Sequence, residues 1–295
     1  MGSRARKGKD VTAAGAVVVG GDHAAPEVLL VRQARDDRWR LPLATVDPGE
    51  YLAGCAARAT QDDAQASVRL GVPVGQLPDP DEGRLVAWWR ARATTTRPPT
   101  PGAGIEQVAW APDVDAVRSL ACASQQRAVR QALALTDSVP ILLVRHTKAM
   151  QRSNWVGRDQ ARPLDARGRR QAANLIPLLA AYGITRLASS TSTRCVKTLL
   201  PYAKAERLEI EGWATLSEEQ AEKNLKAVDN LMRRLIAQSL DMGTPLAICG
   251  HRPVLPTMLT ALGIPTQPLQ PGACMVAHLS PTGQTLAVEH HPPKA

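Results

Sequence analysis

Two histidines and two arginines stand in three separate stretches of this 295-residue chain: Arg145-His146, then Ser189-Ser190 with Arg194 four residues on, then Gly250-His251. A neutral imidazole is a good nucleophile near neutral pH. It can take a phosphoryl group and pass it to water, dividing one difficult displacement into two. The phosphoryl oxygens stay charged throughout, so the reaction depends on fixed cations. Arginine suits that task because its planar fork matches phosphate oxygens and does not lose its proton. The leaving oxygen needs a proton, which a carboxylic acid can supply. These residue types are the equipment for phosphoryl transfer through a histidine.

They cooperate only if the fold gathers them. Each stretch follows a segment that reads as a buried strand: Ile141-Leu142-Leu143-Val144, residues 184–188, and Pro245-Leu246-Ala247-Ile248-Cys249. In an open parallel sheet the C-terminal strand ends form one edge, and ligands bind there. A helix is expected over 166–181, entered through Asp165 as N-cap and stopped by Gly183. A second, over 217–240, puts Leu225, Val228, Leu231, Met232, Leu235 and Ile236 on one stripe. Residues 274–279 and 285–290 form a closing strand pair. The alternation predicts a three-layer α/β/α domain with a mostly parallel sheet over 140–292.

At these residues the chain resembles the histidine phosphatase superfamily, the phosphoglycerate-mutase-like group that includes SixA-type phosphohistidine phosphatases. The Arg-His-Gly signature appears as Arg145-His146-Thr147. The Pro-Leu-(Thr/Asp)-x-x-Gly-x-x-Gln-Ala segment appears as residues 163–172, and Ser-Ser-Pro-x-x-Arg as 189–194 with Thr191 for Pro. The resemblance implies that His146 is the nucleophile and that Arg145, Arg194 and His251 hold the phosphoryl group. Glu218, in Leu216-Ser217-Glu218, becomes the candidate proton donor, with Glu219 as fallback. Both acids also suit the first turn of a helix, where they offset the macrodipole. Asn154, between the first two motifs, is a candidate substrate contact.

The first half carries strand-like runs at 14–19, 27–31, 85–89 and 107–110, and helical patches at 51–64 and 124–135. Trp39-Arg40-Leu41-Pro42 and Val46-Asp47-Pro48-Gly49-Glu50 resemble the approach to a Nudix box in MutT-type hydrolases. Aligned on Glu50, the box (44–66) has Ala44, Glu50, Arg58, Ala59, Asp62, Asp63 and Gln65 at its fixed positions. Acids at 59, 62 and 63 would share one helix face and converge on Mg²⁺, which polarises a pyrophosphate. Ala59 has no ligand atom, and Asp62 and Asp63 are each one methylene shorter than Glu. A metal site of Glu50, Asp62 and Asp63 is therefore doubtful. Glu50 and Arg58 remain candidate substrate contacts, with Arg58 expected to pair with Asp62. A later family carboxylate falls on Gln107, with Glu106 adjacent. Trp88, Trp89 and Trp110 are expected in the core.

The organisation expected is a basic head (1–10), a Nudix-like α/β/α sandwich (11–136), a linker (137–139) and the histidine phosphatase domain (140–292). That order resembles the two-domain MutT proteins of actinobacteria, which act on 8-oxo-guanine nucleotides and diadenosine polyphosphates. The resemblance implies a phosphohydrolase with a phosphohistidine intermediate, acting on a nucleotide or another small phosphorylated compound. No cofactor is expected in the second half, and Mg²⁺ only doubtfully in the first. Three alternatives stay open: Nudix-type cleavage of 8-oxo-dGTP or diadenosine polyphosphates, SixA-like action on phosphoproteins, and a non-catalytic nucleotide sensor.

Net charge is +9, a field that attracts phosphorylated molecules. Nucleic acid is disfavoured as a partner, because no aromatic platform or recognition motif accompanies the charge. The five cysteines form no CxxC pair, so neither a disulfide framework nor a zinc site is indicated. No apolar run approaches the ~18 residues of a membrane span, and the head lacks a signal peptide's apolar segment. A cytoplasmic protein is expected, with its oligomeric state left open. His290-His291 are expected in an unstructured tail, and His23 and His278 in no constellation.

Overall fold

The computed structural model describes residues 11–294 apart from 23, 35, 80–81 and 95–96. The basic head and His23 lie outside the described residues. The chain divides into two compact units between Leu135 and Thr136. The expected linker is shorter than 137–139, because a strand already begins at Val139.

The first unit runs β1 (Val11–Asp22), β2 (Ala25–Gln33), β3 (Trp39–Arg40), β4 (Leu43–Thr45), α1 (Leu52–Ala64), β5 (Val68–Asp79), β6 (Arg84–Ala93), β7 (Ile105–Pro112), α2 (Asp113–Ser119) and α3 (Ala123–Leu133). Its sheet has the order β3-β2-β1-β6-β5, with β4 against β1 and β7 against β2. Only β1 and β6 pair in parallel. Strand side chains alternate between faces, and in β1 both faces are covered. Ala13, Val17 and Val19 join Ala116, Leu120, Ala128 and Val129 of the α2–α3 segment in one core. The intervening Ala14, Ala16 and Val18 are just as buried, and α1 packs on the same strand. Trp88 and Trp89 are core residues, and Trp110 lies over Gly20.

The second unit runs β8 (Val139–Arg145), α4 (Ala166–Ala181), β9 (Arg186–Ser190), α5 (Thr193–Glu206), β10 (Ile210–Trp213), α6 (Glu218–Ala221), α7 (Leu225–Asp241), β11 (Leu246–Gly250), α8 (Leu255–Ala261), β12 (Cys274–Leu279) and β13 (Thr285–His291). Strand order is β10-β9-β11-β8-β12-β13. The first four strands are parallel, and β12 and β13 return antiparallel. Side chains of one sheet face, including Ile141, Leu143 and Ile248, pack with Val228, Leu231, Met232 and Leu235 of α7 and with α8.

The helix expected over 217–240 is broken. Asn224 accepts a hydrogen bond from the Ala227 N–H at 3.0 Å and starts α7 afresh. Leu225, placed on the apolar stripe by its spacing, lies at this new helix start and is exposed. The break separates α6, which carries Glu218, from the long helix.

A second difference concerns the C-terminus. His290 and His291 end β13 instead of lying in a loose tail. His278 and His291 belong to a buried polar cluster at the end of β8 remote from Arg145, where His278 lies opposite Pro140. His278 Nε2 is 2.8 Å from Glu289 Oε1, the Tyr182 hydroxyl donates to Glu289 at 2.7 Å, and His291 Nε2 is 3.0 Å from that hydroxyl. Ser138 Oγ stands 3.4 Å from His278 Nδ1. Burial opposes the Glu289 charge, but the hydrogen bonds of His278 and Tyr182 leave its pKa lowered. Burial lowers that of His291.

Both groups therefore bind more protons when unfolded, so their contribution is lost on acidification. For His291 the loss begins as pH falls below the ordinary 6.5, and for Glu289 below 4.5. Glu289→Gln is expected to cost about 3 kcal/mol and, in denaturant titrations between pH 7 and 3, to remove the loss of stability below 4.5 while keeping the His291 part above it. An unchanged acid limb would remove the cluster from the account.

Candidate active site

The parallel register brings the motif residues to one edge. Gly250 lies beside Arg145, Cys249 beside Ser189, and Trp213 beside Ser190. After β10 a 3-10 turn (Ala214–Leu216) leads to Glu218. The His146 N–H donates to the Gly250 carbonyl at 3.1 Å, and the Gly272 N–H donates back to the Arg145 and His146 carbonyls at 3.1 and 3.2 Å. The segment after β8 is pinned on both sides.

Residues 163–172 explain themselves through that segment. The Asp165 carboxylate caps α4 by accepting the Gly168 N–H at 2.7 Å, while its own N–H donates to the Lys148 carbonyl at 3.1 Å. Gln171 Oε1 accepts the Lys148 N–H at 3.0 Å. A Cβ on Gly168 would fall 1.9 Å from the Lys148 carbonyl oxygen, so this approach requires glycine. Thr147, where the family has Gly, is fully buried and pairs its hydroxyl with Thr198 Oγ1 at 3.2 Å.

The His146 Nδ1 lies 2.8 Å from the Thr147 carbonyl. A carbonyl only accepts, so Nδ1 carries the proton and Nε2 keeps its lone pair. Burial, joined by the charges of His251, Arg194 and Arg145, pushes His146 down to about 3. It is a neutral base at pH 7. The ring of His251 meets it edge-on, with centroids 5.2 Å apart. His251 is fully buried, with Nε2 2.9 Å from Ser190 Oγ and Nδ1 3.2 Å from Glu218 Oε1. Burial works against its charge, but hydrogen bonds to Cys195 and Glu218 raise its pKa.

Arg194, only 1% exposed, is fixed by Asp159 Oδ2 at 3.1 Å, Glu218 Oε1 at 3.2 Å and the Asp159 carbonyl at 2.8 Å. Arg145 donates one Nη–H to the Leu269 carbonyl. The Nε–H groups of Arg145 and Arg194 are buried without an acceptor among the described residues. Orphaned donors of this kind call for an incoming acceptor, and phosphoryl oxygens would supply one. The His251 hydrogen bond, ahead of the Arg194 charge, holds Glu218 down at about 2 despite partial burial. Arg145, His146 and Glu218 line a cavity of about 420 Å³, with Arg194 and His251 behind them through their contacts with Glu218.

His146, Glu218 and His251 also form the one set, among the described residues, whose potential metal-ligand atoms all lie within 4.8 Å of one another. Arg145 and Arg152 line the same cavity and Arg194 bonds Glu218 directly, so the field there favours an anion. Asn154 does not join the site: it sits exposed on a 3-10 turn (Arg152–Asn154) outside the cavity lining. Glu219 is exposed as well.

Asp159 escaped the sequence reading, yet it also takes Arg152 and Arg162 at 3.0 and 2.8 Å. Its signal was available, since it is the one acid between Arg145 and Leu164 in a run with Lys148, Arg152, Arg158 and Arg162.

In the first unit, Arg58 grips Glu50 with two bonds of 2.8 Å, and reaches Asp62 at 3.4 Å. The expected Arg58–Asp62 pair is thus the lesser one, because the half-buried Glu50 offers both oxygens to the fork while Asp62 is exposed. Asp63 pairs with Arg40 at 3.1 Å, and Ala59 is in the core. Burial opposes the Glu50 charge, but the Arg58 hydrogen bond leaves its pKa lowered; for Asp63 burial prevails and raises it. Glu50 and Asp63 are paired with guanidinium groups while Asp62 is exposed, and among the described residues the three do not bring ligand atoms within 4.8 Å of one another as a shared Mg²⁺ would need. Glu106 lies 3.5 Å from Arg32. A separate cavity of about 310 Å³ is lined by Arg38, Trp39, Arg40, Thr45, Arg84 and Gln125, among others.

An imidazole with a free Nε2 shares the C-terminal edge of a mostly parallel sheet with the buried Arg194 and the half-buried Arg145, an arrangement chemically suited to a phosphoryl group. The model of the histidine phosphatase superfamily (branch 1) matches residues 141–229, and that of the NUDIX domain matches 9–133. Over 241 residues the chain is 30% identical to the 8-oxo-(d)GTP phosphatase of Mycolicibacterium smegmatis, covering 81% of this chain and 74% of that protein. The chain belongs to this family, in which a NUDIX domain precedes a histidine phosphatase domain. Among solved structures, the protein histidine phosphatase SixA complexed with tungstate is 17% identical, covering 53% of this chain and 97% of its own, with a TM-score of 0.43. The C. elegans Ap4A hydrolase binary complex is 21% identical, covering 41% and 94%, with a TM-score of 0.37. No helix among the described residues is long and apolar enough to cross a membrane.

Proposed function

We propose that this protein hydrolyses a nucleotide or another small phosphorylated compound through a phosphohistidine at His146, while its NUDIX domain binds or supports without metal-dependent catalysis. The observation that carries this reading is the His146 Nδ1–Thr147 bond, which leaves Nε2 free in a site with the buried Arg194 and the half-buried Arg145, whose Nε–H groups are unsatisfied among the described residues. The name of the M. smegmatis relative supports a nucleotide as the substrate class.

In the first step Nε2 attacks phosphorus, the P–O bond to the leaving group breaks, and Arg145, Arg194 and protonated His251 hold the equatorial oxygens. A basic leaving oxygen takes a proton from Glu218. The free enzyme keeps Glu218 ionised; an arriving phosphoryl dianion competes for its Arg194 and His251 partners and raises its proton affinity. In the second step water attacks the phosphohistidine, Glu218 accepts the water's proton, and the N–P bond breaks with its electrons returning to His146.

The charged groups fix the pH dependence. His146 stays neutral down to about 3, so kcat/KM shows no acid limb near 6.5 once the substrate's own ionisation is divided out. His251 is charged below its raised pKa, so activity falls as pH rises through a value above 6.5. An acid limb at 6–7 in pH–rate profiles would contradict the His146 assignment, and the lack of any fall above 6.5 would contradict that of His251.

Metal removal separates the two domains. Hydrolysis of an aryl phosphate is expected to persist in EDTA, and millimolar Mg²⁺ is expected to move the thermal midpoint of the N-terminal unit by less than about 1 °C. Activity abolished by EDTA and restored by Mg²⁺ would move the chemistry to the NUDIX domain. Its cavity, lined by paired arginines and acids, offers space for a binding role.

A further inference from the structure

We infer that Lys148 and Arg252 form a second anion subsite beside the phosphoryl pocket, so that the favoured substrate carries another phosphate next to the one transferred. The inference rests on the phosphohistidine reading and assigns its substrate class: a phosphoanhydride such as a nucleoside diphosphate. Lys148 follows the nucleophile by two residues and Arg252 follows His251 directly, so two segments flanking the pocket each contribute one cation. Both line the 420 Å³ cavity with Arg145 and His146. A volume of that order admits far more than one phosphate.

The cations of the pocket fall into two groups. Arg194, Arg152 and Arg162 are neutralised by Asp159, and the first two also by Glu218. Lys148 and Arg252 are exposed, and among the described residues neither side chain has a hydrogen bond or ion pair. Arg252 stands near enough to Arg145 that its charge, after burial, lowers the Arg145 pKa. Like charges beside an empty cavity are mutually repulsive, and an anion spanning them relieves that cost. Glu222 also lines the cavity, but it belongs to the side that carries Arg152 and Glu218.

The leaving group offers an independent argument. An alkoxide leaves only once the bound phosphoryl group has raised the proton affinity of Glu218, which is held at about 2 in the free enzyme. A phosphate leaving group is stable as an anion, with a second pKa near 6. In the balanced step, His146 Nε2 bonds the terminal phosphorus, and the bridging oxygen leaves with the electron pair as part of the inner phosphate. Water then releases orthophosphate from His146. The shortened phosphoester and orthophosphate are the products, and no oxidant or metal is consumed.

The test compares adenosine diphosphate with p-nitrophenyl phosphate, both in EDTA, on the full-length protein and on Lys148→Ala and Arg252→Ala. Loss of a charge-assisted phosphate contact is expected to lower kcat/KM for the diphosphate about 10- to 100-fold. For the aryl phosphate, which feels only the weakened field, a fall of about threefold is expected. Equal losses on both substrates would place these cations on the transferred phosphoryl group and overturn the subsite, as would no loss on either. Failure of the phosphohistidine reading itself shows differently, as aryl phosphate hydrolysis that survives His146→Ala.

Discussion

His146→Ala lowers kcat for phosphate release by at least about 10,000-fold, because no other group can form the covalent intermediate. Among the described residues its side chain bonds only the adjacent Thr147 carbonyl, and the segment around it is held by backbone bonds and by Gln171. The variant is therefore expected to fold. Its cradle of Arg145, Arg194 and His251 stays in place, so orthophosphate or vanadate binding measured by calorimetry survives while turnover does not. A variant that keeps even a tenth of wild-type turnover on aryl phosphates would transfer the nucleophile elsewhere.

Arg194→Ala is the second large effect, and it strikes activity and stability together. The guanidinium bridges Asp159 and Glu218 while almost wholly buried. Removing it leaves only the exposed Arg152 bridging the two carboxylates, expected to cost about 3 kcal/mol. Transition-state charge on the phosphoryl oxygens loses one fixed donor, expected to lower kcat/KM about 1,000-fold. Arg194→Lys should recover more of the stability than of the rate, because a single ammonium can reach one carboxylate but cannot present a fork. Denaturant unfolding alongside kinetics on both variants checks this. A full recovery of rate by lysine would mean that charge alone matters at this position.

Most of the second unit was legible in the sequence, because its signals are local and strong. The apolar runs before Arg145, Ser189 and Gly250 became adjacent parallel strands, and Asp165 capped the helix it was expected to start. What the sequence hid depends on side chains meeting across distance. Asn224 interrupts a regular apolar stripe with a local cap, and helical spacing does not register a cap inside the pattern. Asp159 gathers three arginines through a loop that no periodicity describes. His278, Glu289, Tyr182 and His291 come from separate elements, so their cluster has no motif. In the first unit the substitutions at the box positions were visible, but the pairing was not: Arg58 chose the half-buried Glu50 over the exposed acid one turn away.

The central claim is that phosphate leaves the substrate attached to Nε2 of His146. Rapid acid-free quenching of the enzyme with a radiolabelled phosphate substrate in EDTA, followed by peptide mapping, tests it directly. The account predicts a transient label on the peptide bearing His146, stable to alkali and lost in acid, and none in His146→Ala. Steady turnover with no labelled protein, or label mapped to another residue, would contradict it.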